Sequence, residues 1–117
     1  MVEVSIAQEA QQKEDLDQTI KYLLDYVAQS KCIFIRNGRK HTAKKASRHM
    51  KRKYKHFEDE INTPEDFIRL AGSKSTLSGK PYKVRLKNGK EMLCSEWLDK
   101  ALKEYRISLN ESKDKDG

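Results

Sequence analysis

Apolar residues recur every three or four positions in four stretches of this chain and alternate with polar ones in two others. Between Gln12 and Gln29, Leu16, Ile20, Leu23, Leu24 and Val27 form one stripe, the signature of a helix with a buried face. Tyr22 and Tyr26, four apart, flank that stripe. Ala43, Ala46, Met50, Tyr54, Phe57 and Ile61 predict a second helix, with Thr42 as its N-cap. Thr63-Pro64-Glu65-Asp66 predicts the start of a third: a cap, a proline at the first helical position, then acids on the positive dipole end. Phe67, Ile68, Leu70 and Ala71 give it an apolar face, and Gly72 ends it. Ser95 is read as the cap of a last helix that turns Trp97, Leu98, Ala101, Leu102 and Tyr105 inward.

The strand signals are short. Cys32 to Arg36 is β-rich and ends at Asn37-Gly38, a pair suited to the two positive φ angles of a tight type I′ hairpin returning through Arg39 to His41. Tyr82, Val84 and Leu86 alternate with basic residues up to a second Asn-Gly pair, Asn88-Gly89. A two-residue turn there sets Val84 opposite Leu93. Both strand pairs are local hairpins, which argues against βαβ units. The expected fold is therefore α+β: a mainly helical single domain over residues 12–107 with a small antiparallel sheet built from two short hairpins. Residues 1–11 and the polar stretch 108–117 are expected to be loose ends.

Charge changes this picture at one place. The chain has 117 residues, 37% of them charged, and a net charge of +7. Nine of its 25 Lys and Arg, all three His and no carboxylate fall within residues 39–56; elsewhere 16 basic residues stand against 18 acidic. On a helix, Lys44, Lys45, Arg48, Lys51 and Arg52 lie opposite the apolar stripe, a candidate anion-binding face that is otherwise a solvated surface. The anionic partners considered are lipid, acidic protein and nucleic acid. Lys44 and Lys45 oppose the helix dipole at its start, and Glu58, Asp59 and Glu60 oppose it at its expected end. Tertiary packing must hold this helix.

Specific chemistry has weaker support. His49 and His56 share a helix face but lie about 10 Å apart along the axis, too far for one metal ion, so no metal or other cofactor is expected. The loop 73–81 departs from the phosphate-loop pattern, because its glycines are wrongly spaced and Pro81 follows Lys80. A small ligand or hydrolytic role for it is an alternative to that of a structured connector. No serine has a nucleophile-elbow context and no carboxylate pair is singled out, so catalysis is not expected. Cys32 and Cys94 each border a short strand. A bridge would close a loop of about 60 residues, worth about 4 kcal/mol in the loop-entropy account, and two buried thiols fit the positions equally well. No apolar run approaches a membrane span, and the start of the sequence shows no signal peptide.

Five blocks in order carry a resemblance: Phe34-Ile-Arg-Asn-Gly38, His49-Met-Lys-Arg-Lys53, Thr63-Pro-Glu-Asp-Phe-Ile68, Ser75-Thr-Leu-Ser-Gly-Lys-Pro-Tyr82 and Trp97-Leu98. Over residues 16–106 the chain resembles the small exported bacterial domain-of-unknown-function family 5329. The resemblance implies a periplasmic or envelope location, with a signal peptide already removed, and favours the Cys32–Cys94 bridge; a natural start at residue 1 would instead imply the cytoplasm. It supplies no reaction, cofactor or partner. If the blocks form a site, its candidates are Arg36 and Asn37 at the first hairpin, Arg52 and Lys53 on the helix, and Ser75, Ser78, Lys80 and Tyr82 in the loop. The expected function is binding by a non-enzymatic envelope protein through its basic helix face, with a nucleic-acid-associated protein as the alternative.

Overall fold

The computed structural model describes residues 2–116, with side chains from Leu16 to Asn110. The expected loose ends, 1–11 and 108–117, fall largely outside those side chains. The chain runs α1 (Val2–Gln29), β1 (Ile33–Arg36), β2 (Arg39–His41), α2 (Ala43–His56), a 3₁₀ turn (Glu58–Glu60), α3 (Pro64–Ala71), β3 (Lys83–Arg85), β4 (Glu91–Leu93) and α4 (Cys94–Asp116). This is an α+β domain, mostly helical, with one four-stranded antiparallel sheet.

The sheet has the order β2-β1-β3-β4. Each hairpin forms locally, and the pairing of β1 with β3 (Ile33 with Arg85, Phe34 with Val84, Ile35 with Lys83) joins them. Asn37 (φ 54°) and Gly38 (φ 76°) both adopt the left-handed conformation that the type I′ turn demands. The second turn differs from the expectation. Val84 pairs with Met92, and Lys83 with Leu93, so Val84 does not face Leu93; beyond the strands Leu86 N donates to the Lys90 carbonyl at 2.8 Å, which leaves a turn of three residues, 87–89. Only Gly89 there has positive φ, at 89°, which fits a turn followed by one left-handed residue.

Two helix bounds also move. Thr42 caps α2 as expected, its hydroxyl accepting from Lys45 N at 3.3 Å, but the helix ends at His56 and Ile61 is not part of it. The physical reason is the dipole. Ending there places Lys53, Lys55 and His56 in the last turn, where cations are favoured, and lets Glu58, Asp59 and Glu60 open a separate 3₁₀ turn. Ile61 reaches the core from extended backbone instead. α4 begins at Cys94, one residue before Ser95, so Ser95 lies inside the first turn and is not its cap. α3 follows the expectation: Thr63 accepts from Asp66 N at 3.0 Å and Pro64 is the first helical residue. Gly72 closes α3 at φ −116°, which is not left-handed; its missing side chain matters because a Cβ would stand 2.6 Å from Leu98 Cδ1.

The core lies between the helices and one face of the sheet. Leu23, Val27, Phe67, Val84 and Leu98 are among its most buried members. An aromatic chain runs through it, Tyr22 on Tyr105 (4.3 Å between centroids), Tyr26 on Trp97 (4.9 Å) and Phe34 on Trp97 (5.5 Å). Such pairs add directional stabilisation to area burial.

The bridge between Cys32 and Cys94 is not present: both are buried free thiols. Register explains it. Extending the β1–β3 pairing sets Cys32 beside Leu86, whereas the β3–β4 pairing sets Cys94 beside Tyr82. Four residues of strand, about 13 Å, separate those levels, well beyond disulfide reach. Burial pushes the Cys94 thiol up to about 12, which makes it an inert core group.

Candidate functional site

Alternation along β1 continues into polar residues. Phe34 faces the core, so Arg36, two residues on, points to the same side. By register Tyr82 stands opposite Arg36, on the same face as Val84. α2 crosses this end of the sheet with Ala46, His49, Met50 and Lys53, residues three or four apart, turned toward it. Three of the five sequence blocks thus meet in space.

Their polar atoms form one network. Arg36 Nη1 lies 2.8 Å from Nδ1 and 2.7 Å from Nε2 of His49. A neutral imidazole has one acceptor nitrogen, so only one of these contacts is a hydrogen bond. His49 Nε2 is 3.2 Å from the Tyr82 hydroxyl. Lys53 Nζ donates to that same hydroxyl oxygen at 3.2 Å and to the Lys74 carbonyl at 2.9 Å. With its oxygen accepting from Lys53, Tyr82 keeps its proton free to donate.

The electrostatics are one-sided. Lys53 is only 9% exposed. Among the described residues three ion pairs form, Arg69–Asp66, Arg85–Glu91 and Arg106–Glu65, and none includes a basic residue of α2 or Arg36. Burial, then Arg36, Lys53, Arg52 and His41, pushes the His49 imidazole down to about 4. Burial and Arg36 lower Lys53 as well. Burial raises the Tyr82 phenol, with Arg36 opposing. A cleft of about 680 Å³ opens beside this network, walled by Phe34 and Met50 and by Arg36, His49, Arg52 and Tyr82. His41 lines it too, and its buried Nε2 has no hydrogen-bond partner.

The other candidates divide into rim and scaffold. Lys44, Lys45, Arg48, Lys51 and Arg52 are all exposed on α2, and all but Lys44 also border the cleft. Ser75 and Ser78 serve as ties. Ser75 Oγ accepts from Asn37 Nδ2 at 3.3 Å, and Ser78 Oγ donates to Asn37 Oδ1 at 2.5 Å while accepting from Lys80 N at 3.2 Å. These bonds fasten the 73–81 loop to the first hairpin turn and leave the Ser75 and Ser78 hydroxyls occupied. The Lys80 side chain is exposed, and its carbonyl closes the loop by accepting from Ser75 N at 3.0 Å. Two members of the network escaped the sequence reading: His49, weighed only as a metal ligand, and the Lys74 carbonyl. The His49–Lys53 spacing of four on a helix was the available signal for the first. Among the described residues no cluster of His, Cys, Asp and Glu forms a metal-ligand set.

Fold and site together define a small α+β domain with a carboxylate-free cationic cleft between a helix and a sheet end. By its sequence the chain belongs to the family of unknown function DUF5329, whose pattern matches residues 14–106. Over 64 residues it is 38% identical to the uncharacterized protein YfeK of Salmonella typhimurium (strain LT2), a match covering 54% of this chain and 53% of that one. The match thus spans about half the length of that curated relative. No solved structure matches the chain. No helix among the described residues is long and apolar enough to cross a membrane.

Proposed function

We propose that this protein acts by binding and not by turnover, offering the outward face of α2 to an anionic partner in the bacterial envelope. One observation carries the reading. Lys44, Lys45, Arg48, Lys51 and Arg52 are exposed on a single helix, and no ion pair among the described residues neutralises any of them. A charge that no neighbour neutralises is available to a partner. The envelope location is supported by the resemblance to exported bacterial proteins, and it favours anionic phospholipid or an acidic protein over nucleic acid.

The test is co-sedimentation with vesicles. Near an anionic surface each Lys or Arg contributes about 1 kcal/mol, a term that salt screens. Binding to phosphatidylglycerol vesicles is therefore expected at low salt, with none to phosphatidylcholine. The five-fold Gln variant at positions 44, 45, 48, 51 and 52 is expected to lose roughly a hundredfold or more in affinity and to keep its circular dichroism spectrum. Polyglutamate is the arm for an acidic protein. Binding that survives the five substitutions overturns the reading.

A further inference from the structure

The inner end of the cleft asks for a different ligand from the outer face of α2. We infer that Arg36, His49 and Tyr82, backed by Lys53, form an oxyanion site for a phosphate monoester whose organic part lies against Phe34 and Met50. Lys45, Arg48, Lys51 and Arg52 of the outer face border the same cleft; what sets this site apart is its inner groups, which reach it from the sheet (Arg36 and Tyr82) and from the edge of α2 nearest the sheet (His49).

Two cations, Arg36 and Lys53, share one hydrogen-bonded network with an imidazole and a phenol, and no carboxylate is bonded to any of them. Buried charges are ordinarily paired, because an uncompensated one keeps its desolvation cost. An anion that enters here supplies the missing partner. Two fixed positive charges match a dianion better than a carboxylate, and His49 holds a third in reserve if it takes up a proton.

A guanidinium grips an oxyanion with two parallel N–H groups, and it does so best for phosphate and carboxylate. Arg36 is fixed for this by the strand end and by His49. Tyr82 adds an O–H donor whose oxygen is already engaged by Lys53. Lys53 does not line the cleft, so it is a positioning residue: it orients the Tyr82 hydroxyl and adds field from behind. His41 also lines the cleft, and its Nε2, buried behind that wall, lacks a hydrogen-bond partner.

A cleft of about 680 Å³ far exceeds one phosphate and falls in the range of small organic ligands. Phe34 and Met50, only 4% and 2% exposed, form its floor beneath a rim that includes Lys45, Arg48, Lys51, Arg52 and Lys55, so the ligand it fits has an anionic head and an organic body that meets these two side chains at their edges. A soluble phosphate ester and a phosphatidic acid headgroup share that chemistry.

The experiment uses the full chain and three probes: inorganic phosphate, phenyl phosphate, and phosphatidic acid in phosphatidylcholine vesicles. Affinity is read by calorimetry, and the His49 ring protons are followed by NMR as a reporter inside the site. Phenyl phosphate is expected to bind more tightly than phosphate and to raise the His49 titration midpoint. Arg36→Gln is expected to weaken it ten- to a hundredfold, a charge-assisted fork being worth roughly 1.5–3 kcal/mol. Arg36→Lys keeps the charge but loses the guanidinium fork, and is expected to lose about tenfold; it stands in if the Gln variant fails to fold. Lys53→Met is expected to weaken binding and to raise the His49 midpoint in the free protein, an electrostatic effect that a purely structural lysine would not produce. Vesicle binding abolished by Arg36→Gln identifies the lipid source of the same chemistry. Phenyl phosphate that leaves His49 unmoved, or vesicle binding lost only with the five outer cations, overturns the inference.

Discussion

The two faces of α2 hold the same kinds of side chain in opposite circumstances. On the outer face Lys51 and Arg52 keep their charges in water, where hydration is retained and salt screens them. On the inner face Lys53 lies next in sequence to Arg52, yet only 9% of it is exposed. Its ammonium has traded water for a carbonyl and a phenol. A cation outside is cheap and uninformative, since nothing about the fold forbids it. A cation inside carries a cost that the fold must offset, and the arrangement that offsets it is specific enough to name. Function is therefore read more sharply from one buried lysine than from five exposed ones.

The comparison breaks first if the inner face is not the side that holds the helix. Met50 is 2% exposed between Ala46 and Lys53 on that face. Met50→Ala removes buried methylenes and leaves a cavity, so a loss of about 2–4 kcal/mol is expected in urea unfolding. A change under about 1 kcal/mol would show the inner face to be loosely packed, and the contrast with the outer face would fail.

Tyr82 probes the polar half of the same face. Tyr82→Phe keeps the ring in the core but removes the oxygen shared by Lys53 and His49. Lys53 retains the Lys74 carbonyl, so the expected cost is about 1–2 kcal/mol and not the larger penalty of an abandoned charge. A shift of the melting point by roughly 4–8 °C reports it. An unchanged melting point would mean that the network does not contribute to stability.

How much of this was legible in the sequence follows from which interactions are local. Asn37-Gly38 announces its turn because the two φ angles are a property of those two residues. Thr42 and Thr63 announce caps because the acceptor and its N–H lie three residues apart. Asn88-Gly89 misled, since the same dipeptide serves a three-residue connection once Gly89 alone takes the positive φ. The end of α2 was hidden by Phe57 and Ile61, which keep the helical spacing past the point where the acids make a new turn favourable. The pairing of β1 with β3 is a tertiary choice with no local mark, and it is this pairing that brings Tyr82 to Arg36. The site residues Arg36, Lys53 and Tyr82 entered through the resemblance, not through pattern. Alternation from Phe34 would have turned Arg36 inward, and a spacing of four would have joined His49 to Lys53. Neither rule says that a charge belongs inside.

A pH series sharpens the contrast at a finer scale. His49 titrates near 4 in the fold and near its ordinary value of about 6.5 when unfolded. Between those values the unfolded chain binds the extra proton, so stability is complete above about pH 6.5 and is lost as pH falls toward 4. Tyr82, Arg36, Arg52, Lys53 and His41 surround the ring, and none of them supplies a negative charge to reverse the sign. His41, also lowered by burial, acts in the same direction. Solvent screening holds the combined effect to about 1 kcal/mol. The Glu65 carboxyl, held low by Arg106, loses its contribution only at more acid pH, so the window above about 4.5 belongs to the histidines. His49→Gln is expected to flatten the slope there; a slope that persists assigns it elsewhere.

The smallest effect lies on the outer face and has the opposite sign. The first turn of α2 contains no acid, and Lys44 stands there against the positive end of the dipole. Lys44→Glu replaces an unfavourable charge with a favourable one at an exposed position, and a gain of about 0.5 kcal/mol is expected. High salt should erase most of that gain, because a surface charge is screened where a buried one is not. The same substitution is expected to weaken binding to phosphatidylglycerol vesicles. A gain in stability coupled to a loss of binding is what a residue kept for a partner, at a small cost to the fold, would show. If Lys44→Glu leaves both quantities unchanged, the outer face at that turn is a solvated surface, and the inner cluster alone is left to carry the chemistry of the helix.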